Sequence, residues 1–182
     1  YKITITVDES FLADNRTEYP VYVDPSFTVS TSGSGSSKTI QDVPIYNGAD
    51  VKNVASGSNT YGLLGYVGQS GGKEYGVGRL LMKFPGLLNN QTYKALSANA
   101  ITNATLSLKE ASGLSTRTTI YANQYSGSTW TESSATYSNT SWSGYTSPST
   151  SSTVGSSSQT TVSFDITKIV QGWKSNTTNA NK

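Results

Sequence analysis

Apolar and polar positions alternate most clearly mid-chain, over residues 75–84 (YGVGRLLMKF), which predicts a central strand. Gly76 and Gly78 punctuate its start, and Phe84, Pro85 and Gly86 close it with a turn signal. Successive side chains of a strand point to opposite faces. Leu80, Met82 and Phe84 are therefore expected in a core, and Arg79, Leu81 and Lys83 on the other face. Residues 1–7 (YKITITV) repeat the same period, with Ile3, Ile5 and Val7 against Lys2, Thr4 and Thr6. A second short strand is expected over 19–25 (YPVYVDP), stopped by Pro25. Further strands are expected over 43–46, 63–68, 100–109, 118–125 and 160–164, with turns at Asn47-Gly48 and at 69–72. In the 100–109 run Ala104, Leu106 and Leu108 should face inward, and Thr105, Ser107 and Lys109 outward.

The pattern changes in three places. Residues 30–38 (STSGSGSSK) hold no apolar anchor and read as a flexible Gly/Ser linker. Residues 126–160 form a long Ser/Thr/Gly/Asn stretch with no regular period, expected as surface or binding loops, that carries Trp130, Tyr137, Trp142 and Tyr145. After it the period lengthens to that of a helix, with Ile166, Ile169, Val170 and Trp173 on one stripe and Asp165 as its cap. The expected fold is all-β, an antiparallel β-sandwich or jelly roll with one short helix near the C-terminus. Three parts follow: an N-terminal β segment over 1–30, the linker proper over 31–38, and the β-sandwich over 39–182.

Composition narrows the function. The chain is 34% hydrophobic and 13% charged, with Ser, Thr, Asn and Gly filling the difference, which suits strands and turns better than a helical bundle. A net charge of +2 without any Lys/Arg-rich run argues against nucleic acid as a partner. No apolar run approaches membrane-spanning length. Cys and His are both absent, which removes disulfides, thiolate or imidazole metal sites and the Ser-His-Asp triad together. The eleven acids form no catalytic-looking pair of the kind a glycosidase needs, so no enzymatic activity is expected. The first residue is Tyr1, without a signal-peptide pattern, so the chain reads as a fragment of something longer.

The residues that remain suit ligand contact. Arg79 and Lys83 on one strand face, with Lys109 on another outward face, could meet a carboxylated or hydroxylated ligand. Tyr75, Trp142 and Tyr145 could stack on sugar rings, whereas Trp130 and Trp173 read as core. Asp42, Asp50 and Asn53 are oxygen donors that could hold calcium, although their spacing matches no known loop. No other cofactor is expected.

Four motifs in order give a resemblance. Residues 78–84 (GRLLMKF), 101–108 (ITNATLSL), 130–137 (WTESSATY) and 164–173 (FDITKIVQGW) are similar to those of the DNRLRE-domain family. The segment 11–25 resembles the stretch that precedes such domains in Rhs/YD-repeat proteins. The resemblance spans most of 11–175 and implies a jelly-roll, carbohydrate-binding-module-like domain of an extracellular bacterial protein at the cell surface or cell wall. Tyr137 stands where the family usually has Trp. The family also continues into a last strand with no counterpart here, which residues 1–7 or a neighbouring chain would have to supply; an incomplete sheet edge would otherwise favour self-association.

Two functions are open. One is a non-catalytic module that binds a polysaccharide, acidic or from the cell wall, for adhesion or targeting. The other is a structural spacer or self-assembling module that contacts neighbouring domains of a larger surface protein. An exposed Arg79/Lys83 face beside the Trp142 loop favours the first, and a covered or neutralised face favours the second.

Overall fold

The computed structural model describes residues 39–59, 61–110, 118–140, 145–154 and 161–175. The expected N-terminal strands, the linker and Trp142 lie outside the described residues. Strands dominate and helices are few, giving the fold an all-β character.

Three antiparallel sheets are present among the described residues. The first has the order β1-β3-β2, with β1 at Gln41–Tyr46, β2 at Gly65–Ser70 and β3 at Lys73–Lys83. The central strand expected from the sequence is central in fact, since β3 pairs with both neighbours. β2 and β3 form a hairpin whose turn uses Gly71 and Gly72, both at positive φ where other residues are strained. β1 leads into the Asn47-Gly48 turn, which folds back onto β3. The Asn47 carboxamide oxygen accepts from the Val77 amide at 2.5 Å, and the Gly48 amide donates to the Tyr75 carbonyl at 2.8 Å.

The other sheets are two-stranded. β4 (Thr105–Lys109) pairs with β7 (Thr161–Asp165), and β5 (Thr118–Tyr125) pairs with β6 (Tyr145–Val154). β6 corrects the sequence reading, because it lies inside the stretch expected to be irregular. Its Ser/Thr-rich sequence has no apolar period to announce it, and the ladder to β5 supplies its structure. Two short helices, α1 (Pro85–Asn89) and α2 (Gln91–Ala95), stand where only a turn was expected. Pro85 opens α1 at a position where its missing N–H costs nothing, and the Asn90 side chain accepts from the Tyr93 amide to start α2.

The predicted C-terminal helix is α3, Thr167–Ser175. The Asp165 carboxylate accepts from the Thr167 amide at 2.9 Å and from its hydroxyl at 2.6 Å, and that hydroxyl accepts in turn from the Ala104 amide. These hydrogen bonds hold the Asp165 carboxyl below the usual aspartate range. Ile166, Ile169 and Val170 are buried with Val162, Phe164, Tyr93 and Ile101 in one apolar cluster, against which Leu106, Leu108 and Trp173 pack. A second cluster joins Val43, Ile45 and Leu81 to Trp130 and Ala135. Trp130 is therefore core, as the sequence reading had it.

Candidate functional site

The face of β3 that carries Arg79, Leu81 and Lys83 was expected to be available for a ligand. It is covered. Leu81 is only 7% exposed and belongs to the cluster under Trp130, whereas Leu80 and Met82, expected in the core, remain half-exposed and join neither cluster. The cover is the loop over residues 128–140, and the motif residues 130–137 hold it down. Trp130 and Ala135 fill the cluster, while a Glu132 carboxylate oxygen accepts from the Asp42 amide on the outer side of β1 at 2.9 Å. Thr136 and Asn139 exchange backbone-to-side-chain hydrogen bonds, a local box that fixes the loop's end.

Lys83 is consumed by this cover. Its ammonium donates to the Trp130 carbonyl at 2.6 Å and stands 4.5 Å from the centre of the indole. Burial lowers its pKa from the ordinary lysine value, and the neighbouring Glu132 carboxylate partly restores it. Sequence periodicity placed Lys83 on the correct strand face, but it could not show that a loop from 45 residues further on would close over that face.

Arg79 stands opposite Ile45, is half-buried and lines a cleft of about 590 Å³ on the β2 side of β3. The opposite walls of this cleft come from β5 and from the apolar cluster around α3, with Trp173 tilted against Phe84 at 5.8 Å between ring centres. Lys109 is exposed on β4, opposite Thr161, and belongs to a different sheet from Arg79 and Lys83. Tyr145 pairs through its backbone with Tyr125 at the end of β5.

Tyr75 has the most informative surroundings of the predicted ligand residues. Its ring meets Tyr46 edge-on, at 5.0 Å and 88°. Tyr46 is buried, and its hydroxyl accepts from the Leu63 amide at 3.1 Å. Burial raises the Tyr46 pKa above 10.0; the Leu63 hydrogen bond works against the rise, and the nearby Tyr75 and Tyr61 hydroxyls add to it. Tyr61 is 64% exposed. Tyr46 and Tyr75 thus form an aromatic pair beside the Asn47-Gly48 turn, and the exposed Tyr61 lies near enough for its hydroxyl to act on that of Tyr46. Tyr61 went unremarked in the sequence because a lone Tyr beside a glycine carries no periodic signal.

The proposed calcium ligands do not assemble. Asp50 accepts from the Glu74 amide at 2.7 Å, Asn53 is exposed in the following turn, and Asp42 stands on β1 opposite Met82. Among the described residues no group of three or more acidic, His or Cys side chains could hold a metal. Nor is any helix among them long and apolar enough to cross a membrane.

No protein-family model, curated protein or solved structure matches the chain. The likeness to DNRLRE domains rests on the four motifs alone.

Proposed function

We propose that this chain is a non-catalytic structural spacer, a β-sandwich module of a larger bacterial surface or cell-wall protein. The observation that carries this reading is the Lys83–Trp130 contact, because the strongest candidate for a ligand cation is spent on closing the fold. The motif residues around it do the same. Trp130, Glu132, Ala135 and Thr136 each secure the loop over the first sheet rather than face solvent. A module that repeats such internal clamps is suited to hold neighbouring domains apart.

A second reading, binding of a polysaccharide for adhesion or targeting, is favoured by the Tyr46–Tyr75 pair and the exposed Tyr61 nearby. Sugar rings stack on exposed tyrosines, and an aromatic held from below by a buried neighbour presents its face at little entropic cost. Arg79 at the adjoining cleft would add a charged donor for an acidic glycan.

One experiment separates the two. The purified chain is passed over immobilised neutral and acidic polysaccharides at low and moderate salt, beside Tyr61→Ala/Tyr75→Ala and Arg79→Ala variants. The spacer reading expects no retention on any of them. Retention that the tyrosine variant loses overturns it in favour of glycan binding, and salt-sensitive retention lost with Arg79→Ala marks the glycan as acidic.

A further inference from the structure

We propose that the cleft between β3 and β5 is a binding site for a linear, uncharged amphiphile: an apolar chain ending in a hydroxyl, ester or amide group. It rests on neither reading above, since Tyr61 and Tyr75 lie outside the cleft.

Both walls are apolar. One is the face of β3 that carries Leu80 and Met82, followed by Phe84. These three alternate as core residues do, yet all stay half-exposed. The other wall brings together Ile120 and Ala122 of β5 and Leu106 of β4, which back onto the cluster around α3 and are themselves only partly buried. Trp173 joins the walls through its contact with Phe84. Sheets that pack face to face ordinarily interdigitate their inner side chains. Here a space of about 590 Å³ is left, within the range of small-molecule sites, roughly 300–1,000 Å³.

The shape of the cleft selects the body of the ligand. Its lining runs along β3 over 77–84 and along β5 over 119–125. Strand runs of this length extend roughly 23–27 Å. Spread along them, about 590 Å³ makes a narrow slot, which suits an unbranched chain better than a bulky ring system.

One buried polar group selects the head. Gln124 lines the cleft and is only 7% exposed. Its carboxamide oxygen lies beside α3, 3.6 Å from the point that a Cβ on Gly172 would occupy. The carboxamide has no hydrogen-bond partner among the described residues. A buried amide left in that state weakens a fold. A residue kept there for packing alone would be apolar, as Ile120 and Ala122 are on the same side of β5. A carboxamide both donates and accepts, so it matches a hydroxyl, an ester or another amide. A carboxylate would lose far more solvation on entering than one neutral donor returns.

Calorimetric titration of the full chain with 1-decanol tests this, with sodium decanoate and the variants Gln124→Leu and Leu80→Trp beside it. The expected result is saturable binding of one decanol per chain. Binding should be about 10-fold weaker in Gln124→Leu, the usual effect of losing one hydrogen bond to a buried group. It should vanish in Leu80→Trp, whose larger ring fills the slot from its half-exposed wall. Without ligand, Gln124→Leu should melt no lower than the original chain, because an unpartnered amide adds nothing to the fold. No saturable binding of decanol overturns the proposal, and so does undiminished affinity in either variant. A Gln124→Leu chain that melts lower, or fails to fold, overturns the role given to the amide; Leu80→Trp then still decides whether the slot holds the chain. Decanoate that binds more tightly than decanol overturns the uncharged head and makes Arg79, at the border of the cleft, the anchor of a carboxylate.

Discussion

The ammonium of Lys83 sits between the Trp130 carbonyl, 2.6 Å away, and the Trp130 indole, 4.5 Å away. One side chain thus satisfies the backbone of a loop and stacks on the ring that the loop buries. Lys83→Met keeps the aliphatic stem and removes both interactions. A hydrogen bond from a charged donor contributes about 1.5–3 kcal/mol, and partial exposure of this group reduces that figure. We expect a loss of roughly 1 kcal/mol, read as a lower urea midpoint at unchanged slope. An unchanged midpoint would show that the contact adds nothing to stability.

Alkaline pH should destabilise the fold through its buried phenols. Burial raises the pKa values of Tyr46 and Tyr93 above 10.0 in the folded state. Their contribution is complete below pH 10 and is lost as pH climbs through the raised values, because the unfolded chain releases these protons first. Lys83 acts in the opposite sense. Its folded pKa lies below 10.5, so it favours the fold increasingly as pH rises towards 10.5. With two tyrosines against one lysine, the melting temperature should fall above pH 10. Tyr46→Phe should flatten that fall while lowering stability at every pH, since the Leu63 amide loses its acceptor. A thermal melt series from pH 8 to 11 that shows no fall would refute this.

At the acidic end Asp165 sets the slope. Hydrogen bonds from Thr167 hold its carboxyl below the ordinary value of 3.8. A group with a depressed folded pKa supports the fold fully above its unfolded pKa and loses that support as pH falls through the folded value. Stability should therefore decline below about pH 4, and Asp165→Asn should weaken the pH dependence of that decline. Helical ellipticity followed by acid titration is the measurement, and identical curves for the two chains would count against the cap.

Gly76 carries a positive φ of 64° and faces the Asn47 side chain, where an added methyl group would collide. Gly76→Ala should cost more than the about 1–3 kcal/mol usual for a non-glycine residue held in this region, because the collision with Asn47 adds to the strain. By contrast Gly71→Ala, with open space around it, should cost only the backbone strain of its own φ. Calorimetry of the two variants gives the comparison, and equal losses would mean that the contact with Asn47 is unimportant.

Much of the all-β character could be read from period and turn chemistry. The strand over 118–125 has the predicted limits, Leu106 and Leu108 face the apolar cluster as alternation requires, and Asp165 starts the only long helix among the described residues. Local pattern failed where tertiary contacts decide. β6 is a run of Ser and Thr that becomes a strand because β5 lies beside it. Alternation separated Leu81 from Leu80 and Met82, but not which set would be covered more deeply; that depends on Trp130, far along the chain. The candidate site was correspondingly less legible. Tyr75 lies in an aromatic pair with Tyr46, whereas Lys83 turned out to serve the fold.

The Asn47-Gly48 turn has a consequence for how the protein ages. An Asn-Gly pair deamidates when the glycine nitrogen attacks the preceding carboxamide carbon, and flexible turns of this sequence are among the fastest sites to do so. Here both reacting groups are tethered, the Gly48 amide to Tyr75 and the Asn47 carboxamide to Val77. Isoaspartate at Asn47 should therefore accumulate much more slowly in the folded chain than in the urea-unfolded one, although the Asn47 side chain is exposed to water. Peptide mapping after prolonged storage would record it: the turn acts as a chemical preservative, and the first appearance of isoaspartate there would date the opening of the β1–β3 end of the sheet.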